Sequence, residues 1–131
     1  MNDRFKFRLP FYNNDGKFSH FQYLDIIDGL KPYNAGVMFH RGEYEQCTGL
    51  KDKNGNLIYE GDIIHDVDEE AEIDDVSQIV WNQDTCHFMK LDLPETGLDR
   101  HCLLCEADSP YIEIIGNIHE QAEQKDVKWV K

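Results

Sequence analysis

The stretch Thr48-Gly49-Leu50-Lys51-Asp52-Lys53-Asn54-Gly55-Asn56-Leu57-Ile58-Tyr59-Glu60-Gly61-Asp62-Ile63-Ile64 decides the fold. Asn and Gly both tolerate positive φ, so Asn54-Gly55 predicts a type I′ hairpin turn. Glu60-Gly61-Asp62 marks a second tight corner, with Gly61 supplying the backbone freedom and the two carboxylates able to bond turn amides. Apolar Leu57, Ile58, Ile63 and Ile64 flank these corners. The segment therefore specifies a twisted hairpin with a third strand attached.

Upstream, Phe5, Phe7 and Leu9 alternate with Lys6 and Arg8, the period of a half-buried strand. Pro10 is expected to end that strand or to place it at a sheet edge. Asn13-Asn14-Asp15-Gly16 is a turn signal, and Phe18 and Phe21 begin the return. Residues 22–31 fit a helical face through Tyr23, Ile26, Ile27 and Leu30, and fit a strand nearly as well; extended structure is slightly preferred. Val37-Met38-Phe39 and Tyr44 to Thr48 read as short strands.

Downstream, Asp66-Val67-Asp68-Glu69-Glu70-Ala71-Glu72-Ile73-Asp74-Asp75 holds seven acidic residues in ten and no basic one. Mutual repulsion predicts a solvated, mobile loop. Strands are expected at Val76 to Trp81, Cys86 to Leu93, His101 to Cys105 and Ile112 to Ile115, the last stopped by Gly116-Asn117. His119 to Lys125 suits one or two helical turns. Many short strands with turns between them indicate a small barrel or an orthogonal sheet pair.

The 131 residues suit one domain, or one domain with an added lobe. Such a chain buries roughly two thirds of its unfolded surface, enough for one core without staples. No apolar run reaches the ~20 residues needed to cross a bilayer. Met1 to Arg8 alternates charge with aromatics and lacks the apolar core of a secretion signal. A cytoplasmic location is expected. Cys47, Cys86, Cys102 and Cys105 are then expected as reduced thiols.

Charge is unevenly divided. Residues 1–60 hold eight basic and eight acidic side chains, whereas residues 61–131 hold five basic and eighteen acidic ones. The second half carries the whole formal charge of −13. Phosphate binding depends on Lys and Arg, so direct contact with nucleic acid or anionic lipid is not expected. Cationic partners are favoured.

Three stretches resemble the YopX-like family of phage and prophage proteins. The first runs from Thr48 to Ile64 and matches at Thr48, Gly49, Leu50, Asp52, Gly55, Ile58, Tyr59, Glu60, Gly61, Asp62 and Ile63. The second is Ile114-Ile115-Gly116-Asn117-Ile118-His119-Glu120, similar to the family's closing Ile-Gly-Asn-Ile-x-Glu. The third is the opening Lys6-Phe7-Arg8. Leu9-Pro10 stands where the family usually has Ala-Trp, and the acidic run belongs to no family motif. The resemblance implies a mainly β fold with an SH3-like barrel in the second half, a phage or prophage origin and self-association. It implies no catalytic residues. The expected organisation is a β-rich N-terminal lobe with a hairpin over 1–47, a barrel over 48–125 and a tail over 126–131, with little helix.

Several groups are weighed as sites. Tyr59, Glu60 and Asp62 can be read as an acid–base or cation-holding corner, but a structural turn explains them more simply. Gly49, Leu50, Asp52, Gly55, Gly116 and Asn117 are read as structural in the same way. Cys102-Leu103-Leu104-Cys105 has the spacing of half a zinc site, with His101 adjacent and Cys86-His87 elsewhere. No second pair completes it, and free cysteine is a small hydrophobe, so a core strand is preferred. The acidic run lacks the spacing of a calcium loop. The six histidines are scattered, and no nucleophile or phosphate-loop motif is present.

No metal or cofactor is therefore expected, and no enzyme activity; a zinc-dependent hydrolase is the least favoured reading. Trp129 either packs on its own domain or anchors a neighbouring subunit. The preferred function is a non-catalytic phage accessory protein, a homo-oligomer presenting a protein-binding surface. The rival is a DNA mimic that occupies a basic host protein through Asp66, Asp68, Glu69, Glu70, Glu72, Asp74 and Asp75.

Overall fold

The computed structural model describes residues 3–25, 39–93 and 101–123. Among these described residues ten strands follow one another: β1 (Lys6–Asn13), β2 (Phe18–Asp25), β3 (Phe39–Arg41), β4 (Glu45–Lys51), β5 (Leu57–Tyr59), β6 (Asp62–Asp68), β7 (Ile73–Asn82), β8 (His87–Leu93), β9 (His101–Leu103) and β10 (Ile112–Asn117). A single helix, α1 (Ile118–Glu123), closes the described chain, and short 3-10 turns lie at Asp3–Phe5 and Glu106–Tyr111. The fold is mainly β, with curled sheets that form half-barrels, as expected.

One sheet has the order β2-β1-β4-β5, with β3 also pairing β1; the other has the order β10-β6-β7-β8-β9. Every pairing is antiparallel. The chain passes from the first sheet to the second at Glu60–Gly61, so the third strand of the deciding stretch joins the other sheet. The lobe boundary expected at 47/48 falls inside β4.

Four hairpin turns share one chemistry. Asn13 Oδ1 accepts from the amides of Asp15 and Lys17, and Gly16 follows at φ 77°. Asp52 Oδ1 accepts from Asn54 and Asn56, and Gly55 sits at φ 84°. Asn82 Oδ1 accepts from Asp84 and Thr85 before Cys86 at φ 55°. Asp68 Oδ1 accepts from Glu70 and Ala71 before Glu72 at φ 55°. In each, a short polar side chain accepts from amides of the turn, and one left-handed residue follows three or four positions on.

This corrects two expectations. At 52–56 only Gly55 takes positive φ, so the turn is not type I′ but a three-residue loop ending in a left-handed glycine. The acidic run is not a mobile loop either. It forms the end of β6, a turn at Glu69–Glu72 and the start of β7, with Asp66 opposite Asp75 and Val67 opposite Asp74. Asp68 supplies the turn chemistry that composition alone conceals.

Pro10 neither ends β1 nor puts it at an edge. The strand runs through it with β2 on one side, while β4 pairs residues 7–8 and β3 pairs residues 11–13 on the other. The missing amide falls in the gap between those two partners, where Gly42 donates to the Pro10 carbonyl at 2.8 Å. β10 likewise continues through Gly116 and Asn117, with a bulge near Ile115. Residues 22–25 are extended, in β2; residues 26–31 of the ambiguous segment, Val37-Met38, Pro94 to Gly97 and the 126–131 tail with Trp129 lie outside the described residues.

The main core gathers Ile58, Ile64, Ile79, Leu104 and Ile112, with Leu50, Phe88 and Ile114 against them. A smaller one joins Leu9, Phe11 and Leu24 to Phe39. Each fully buried aliphatic contributes about 1.5–3 kcal/mol of transfer free energy. Among the described residues no helix is long and apolar enough to cross a membrane.

Candidate functional site

The seam between the two sheets encloses an ionic cluster. Arg8, which alternation placed on an exposed face, is 3% exposed. It donates through Nε to Glu45 Oε1 at 2.7 Å, through Nη1 to Asp62 Oδ1 at 2.6 Å and through Nη2 to the Glu60 carbonyl at 3.1 Å. Its guanidinium carbon lies 4.0 Å from the Phe21 ring centroid and 5.1 Å from that of Tyr59. The planar cation is thus flanked by aromatic faces and held edge-on by carboxylates.

The remaining carboxylate oxygens are also used. Asp62 Oδ2 accepts from the Tyr59 amide at 2.8 Å, closing the corner the sequence predicts. Glu45 Oε2 lies 2.8 Å from His119 Nε2, and His119 Nδ1 lies 2.5 Å from the Tyr12 hydroxyl. The His119 ring stacks on Phe18 and meets Phe21 edge-on. α1 carries His119 here because Asn117 Oδ1 accepts from the amides of His119 and Glu120 at the helix start.

Gly61 is the pivot. Its φ is 90°, its amide donates to Ile79 O and its carbonyl accepts from the Ile118 amide. A Cβ there would come within 2.8 Å of Glu45 Oε2. The glycine is required both for the left-handed corner and for the approach of the carboxylate.

Burial raises Asp62 to about 6 against the pull of Arg8 and the Tyr59 amide, with Glu45 adding repulsion. Burial opposes the charge on Arg8 too, but Asp62 and Glu45 outweigh it and hold Arg8 above its ordinary value. Tyr59 is pushed up chiefly by burial. Glu60, half-buried at the corner, is raised by burial and by its neighbours Glu45 and Glu43.

The cluster divides two grooves. One, of about 740 Å³, is bordered by Arg8, Asp62, Tyr23 and Tyr59. The other, of about 470 Å³, is bordered by Glu45, His119, Glu43, Glu60, Tyr44 and Trp81. As chemistry, the cluster is a set of mutually satisfied groups: Arg8, Asp62 and Glu45 spend their hydrogen bonds on one another, on His119 and on the backbone. Such an arrangement fixes two sheets in register.

The other sequence-predicted residues fall elsewhere. Asp52 ties its own turn to the second sheet, since Oδ2 accepts from the Ile114 amide at 3.1 Å and the Lys53 amide donates to Ile112 O. Gly49, at φ 84°, and Leu50 lie in the bulge between the Cys47–Tyr59 and Lys51–Leu57 pairs. Asp66 is buried beside Lys90, whose Nζ is 3.1 Å from Asp66 and 3.2 Å from Asp108. Burial opposes the Lys90 charge, and the two carboxylates outweigh it and raise its value. Asp74 pairs with His65 at 2.6 Å, and Glu69, Glu70 and Glu72 are exposed.

All four cysteines are free, Cys47 buried and Cys86, Cys102 and Cys105 exposed. Leu104 enters the core as expected, but Leu103 is half exposed because β9 stops there and Cys105 opens a 3-10 turn. Among the described residues no group of three His, Cys, Asp or Glu side chains is placed to hold a metal ion.

Sequence reasoning missed Arg8, Glu45, His119 and Lys90. The available signal was that each of the three family-like stretches contributes one member, Arg8, Asp62 or His119. Glu45 offered no signal.

No curated protein matches the chain. Among solved structures it is similar to the crystal structure of protein EF1440 from Enterococcus faecalis, at 21% identity and a TM-score of 0.46, over 89% of this chain and 96% of that one. Residues 14–124, from the first hairpin turn through α1, match the YopX protein family. That span takes in Asp52, Glu45, Gly61, Asp62, Asn117 and His119, and the chain belongs to the YopX protein family.

Proposed function

We propose that this protein is a non-catalytic accessory protein of a phage or prophage, a self-associating β module that works by binding another protein in the host cytoplasm. The observation that carries the reading is the contrast between inside and outside. Inside, the ionisable groups of the seam are occupied with one another. Outside, large aromatics stand exposed at Tyr23, Tyr44, Trp81 and Tyr111 on a chain of net charge −13. Exposed aromatics beside polar groups suit protein contact.

Mimicry of DNA is the second reading, favoured by the acidic hairpin. It ranks lower because at least three of its seven carboxylates are committed, Asp66 to Lys90, Asp68 to its turn amides and Asp74 to His65.

Light scattering coupled to size-exclusion chromatography tests self-association. A mass above that of one chain at tens of micromolar is expected, and a strict monomer contradicts it. Cross-linking in host lysate followed by identification of the captured protein tests the binding role, and capture that duplex DNA displaces would transfer preference to mimicry.

A further inference from the structure

We infer that the groove of about 470 Å³ beside the ionic cluster receives a guanidinium side chain from a partner protein, an assignment that rests on the protein-binding reading above. Its volume lies in the range of real binding clefts. Glu45 and His119, already bonded to each other at 2.8 Å, form its rigid floor. Tyr44 and Trp81, 42% and 41% exposed, are its aromatic borders. Glu43 and Glu60 bring two further carboxylates.

Those two carboxylates are the telling feature. Arg8 satisfies Glu45 and Asp62 with its side chain, but it reaches only the backbone carbonyl of Glu60, at 3.1 Å. The Glu60 side chain, half-buried, makes no hydrogen bond or ion pair with the other described residues. Burial and the proximity of Glu45 and Glu43 work against its charge, and the nearby Arg8 offsets them only in part. A cation entering the groove relieves that repulsion.

The chemistry selects arginine over lysine. A guanidinium donates in a planar fork to two carboxylates and stacks on aromatic faces, whereas an ammonium is a compact, strongly hydrated point charge. Arg8 shows the same solution within this protein, flanked by Phe21 and Tyr59. The groove offers a second, externally open version with Trp81 and Tyr44 as the rings.

The test uses the full chain, labelled with nitrogen-15, and N-acetyl-arginine methylamide as probe. Its uncharged isostere N-acetyl-citrulline methylamide is the control. Saturable shifts are expected at the Trp81 indole and at the amides of Tyr44, Glu60 and Gly61, with citrulline at least about tenfold weaker. The double variant Glu43→Gln/Glu60→Gln, checked for an unchanged spectrum elsewhere, should lose the arginine shifts.

Equal binding of citrulline, shifts scattered over the acidic hairpin, or binding unaffected by the double variant would each overturn the assignment. A cross-linked partner that the double variant still binds with full affinity would overturn the groove while leaving the protein-binding reading standing. Arginine binding with no captured partner would do the reverse.

Discussion

Arg8 and Asp62 stand 54 positions apart in the chain and meet at 2.6 Å, with their side chains 4% and 3% exposed. One lies in β1 of the first sheet and the other opens β6 of the second. Their contact, with Glu45 between Arg8 and His119, joins the beginning, middle and end of the polypeptide at one point. Buried ion pairs of this kind are a weak source of net stability but are costly to break on one side, so they specify how the sheets meet.

Gly61 and Gly55 separate backbone strain from crowding. Both take left-handed φ, 90° and 84°, but a Cβ meets Glu45 Oε2 only at Gly61, whereas Gly55 has open space. Gly55→Ala should cost about 1–2 kcal/mol for its conformation alone. Gly61→Ala should cost at least about 2 kcal/mol more, because a buried carboxylate must shift away from Arg8 or His119. Urea denaturation of the two variants measures this, and equal losses would contradict the crowding.

The titration of Asp62 has a defined sign. Its folded value of about 6 lies above the ordinary 3.8, so the proton is held more tightly in the folded state. The resulting stabilisation is fully present below pH 3.8 and is lost as pH rises to about 6. Carboxyl carbon-13 NMR should give an Asp62 midpoint near 6, and Asp62→Asn should remove that component of the pH–stability curve. A midpoint at or below the ordinary value would contradict it.

The acidic hairpin should respond unevenly to neutralisation. Asp66→Ala leaves buried Lys90 with Asp108 alone, at 3.2 Å, and should cost about 2–3 kcal/mol. Glu69→Gln, Glu70→Gln and Glu72→Gln, all exposed, should each change stability by no more than about 0.5 kcal/mol. Thermal melts of the four variants distinguish this pattern from that of a uniformly solvated loop, in which all would be silent.

Asp52 serves two sheets at once. Asp52→Ala removes the acceptor for the amides of Asn54, Asn56 and Ile114, and should cost about 2–3 kcal/mol. Hydrogen exchange should show the Ile114 amide losing protection along with the turn. Loss confined to the turn would mean that the link to β10 contributes nothing.

The parts of this fold legible in the sequence are those written locally. Asn13 to Gly16 and Asp52 to Gly55 announce hairpins because a capping side chain and a glycine stand three positions apart. Asp68 to Glu72 performs a similar turn with a non-glycine residue in the left-handed position, so charge composition pointed to a loop instead. Pro10 misled because the rule against proline in central strands assumes a continuous partner, and here β1 has two partners with a gap between them. The ionic cluster was illegible for a different reason. Its contacts span 37, 54 and 74 positions, and no local period connects Arg8 to Glu45, Arg8 to Asp62 or Glu45 to His119. A charged residue that alternates with aromatics reads as solvent-facing until both faces of its strand prove to be covered.

A double-mutant cycle on Arg8 and Asp62 tests the joining of the two sheets most directly. Arg8→Met strands two buried carboxylates and Asp62→Asn leaves Arg8 with one, so each single change should be strongly destabilising while the pair together costs much less than their sum. A coupling free energy above about 2 kcal/mol from urea unfolding is the predicted result; a value below about 0.5 kcal/mol would contradict the ionic seam.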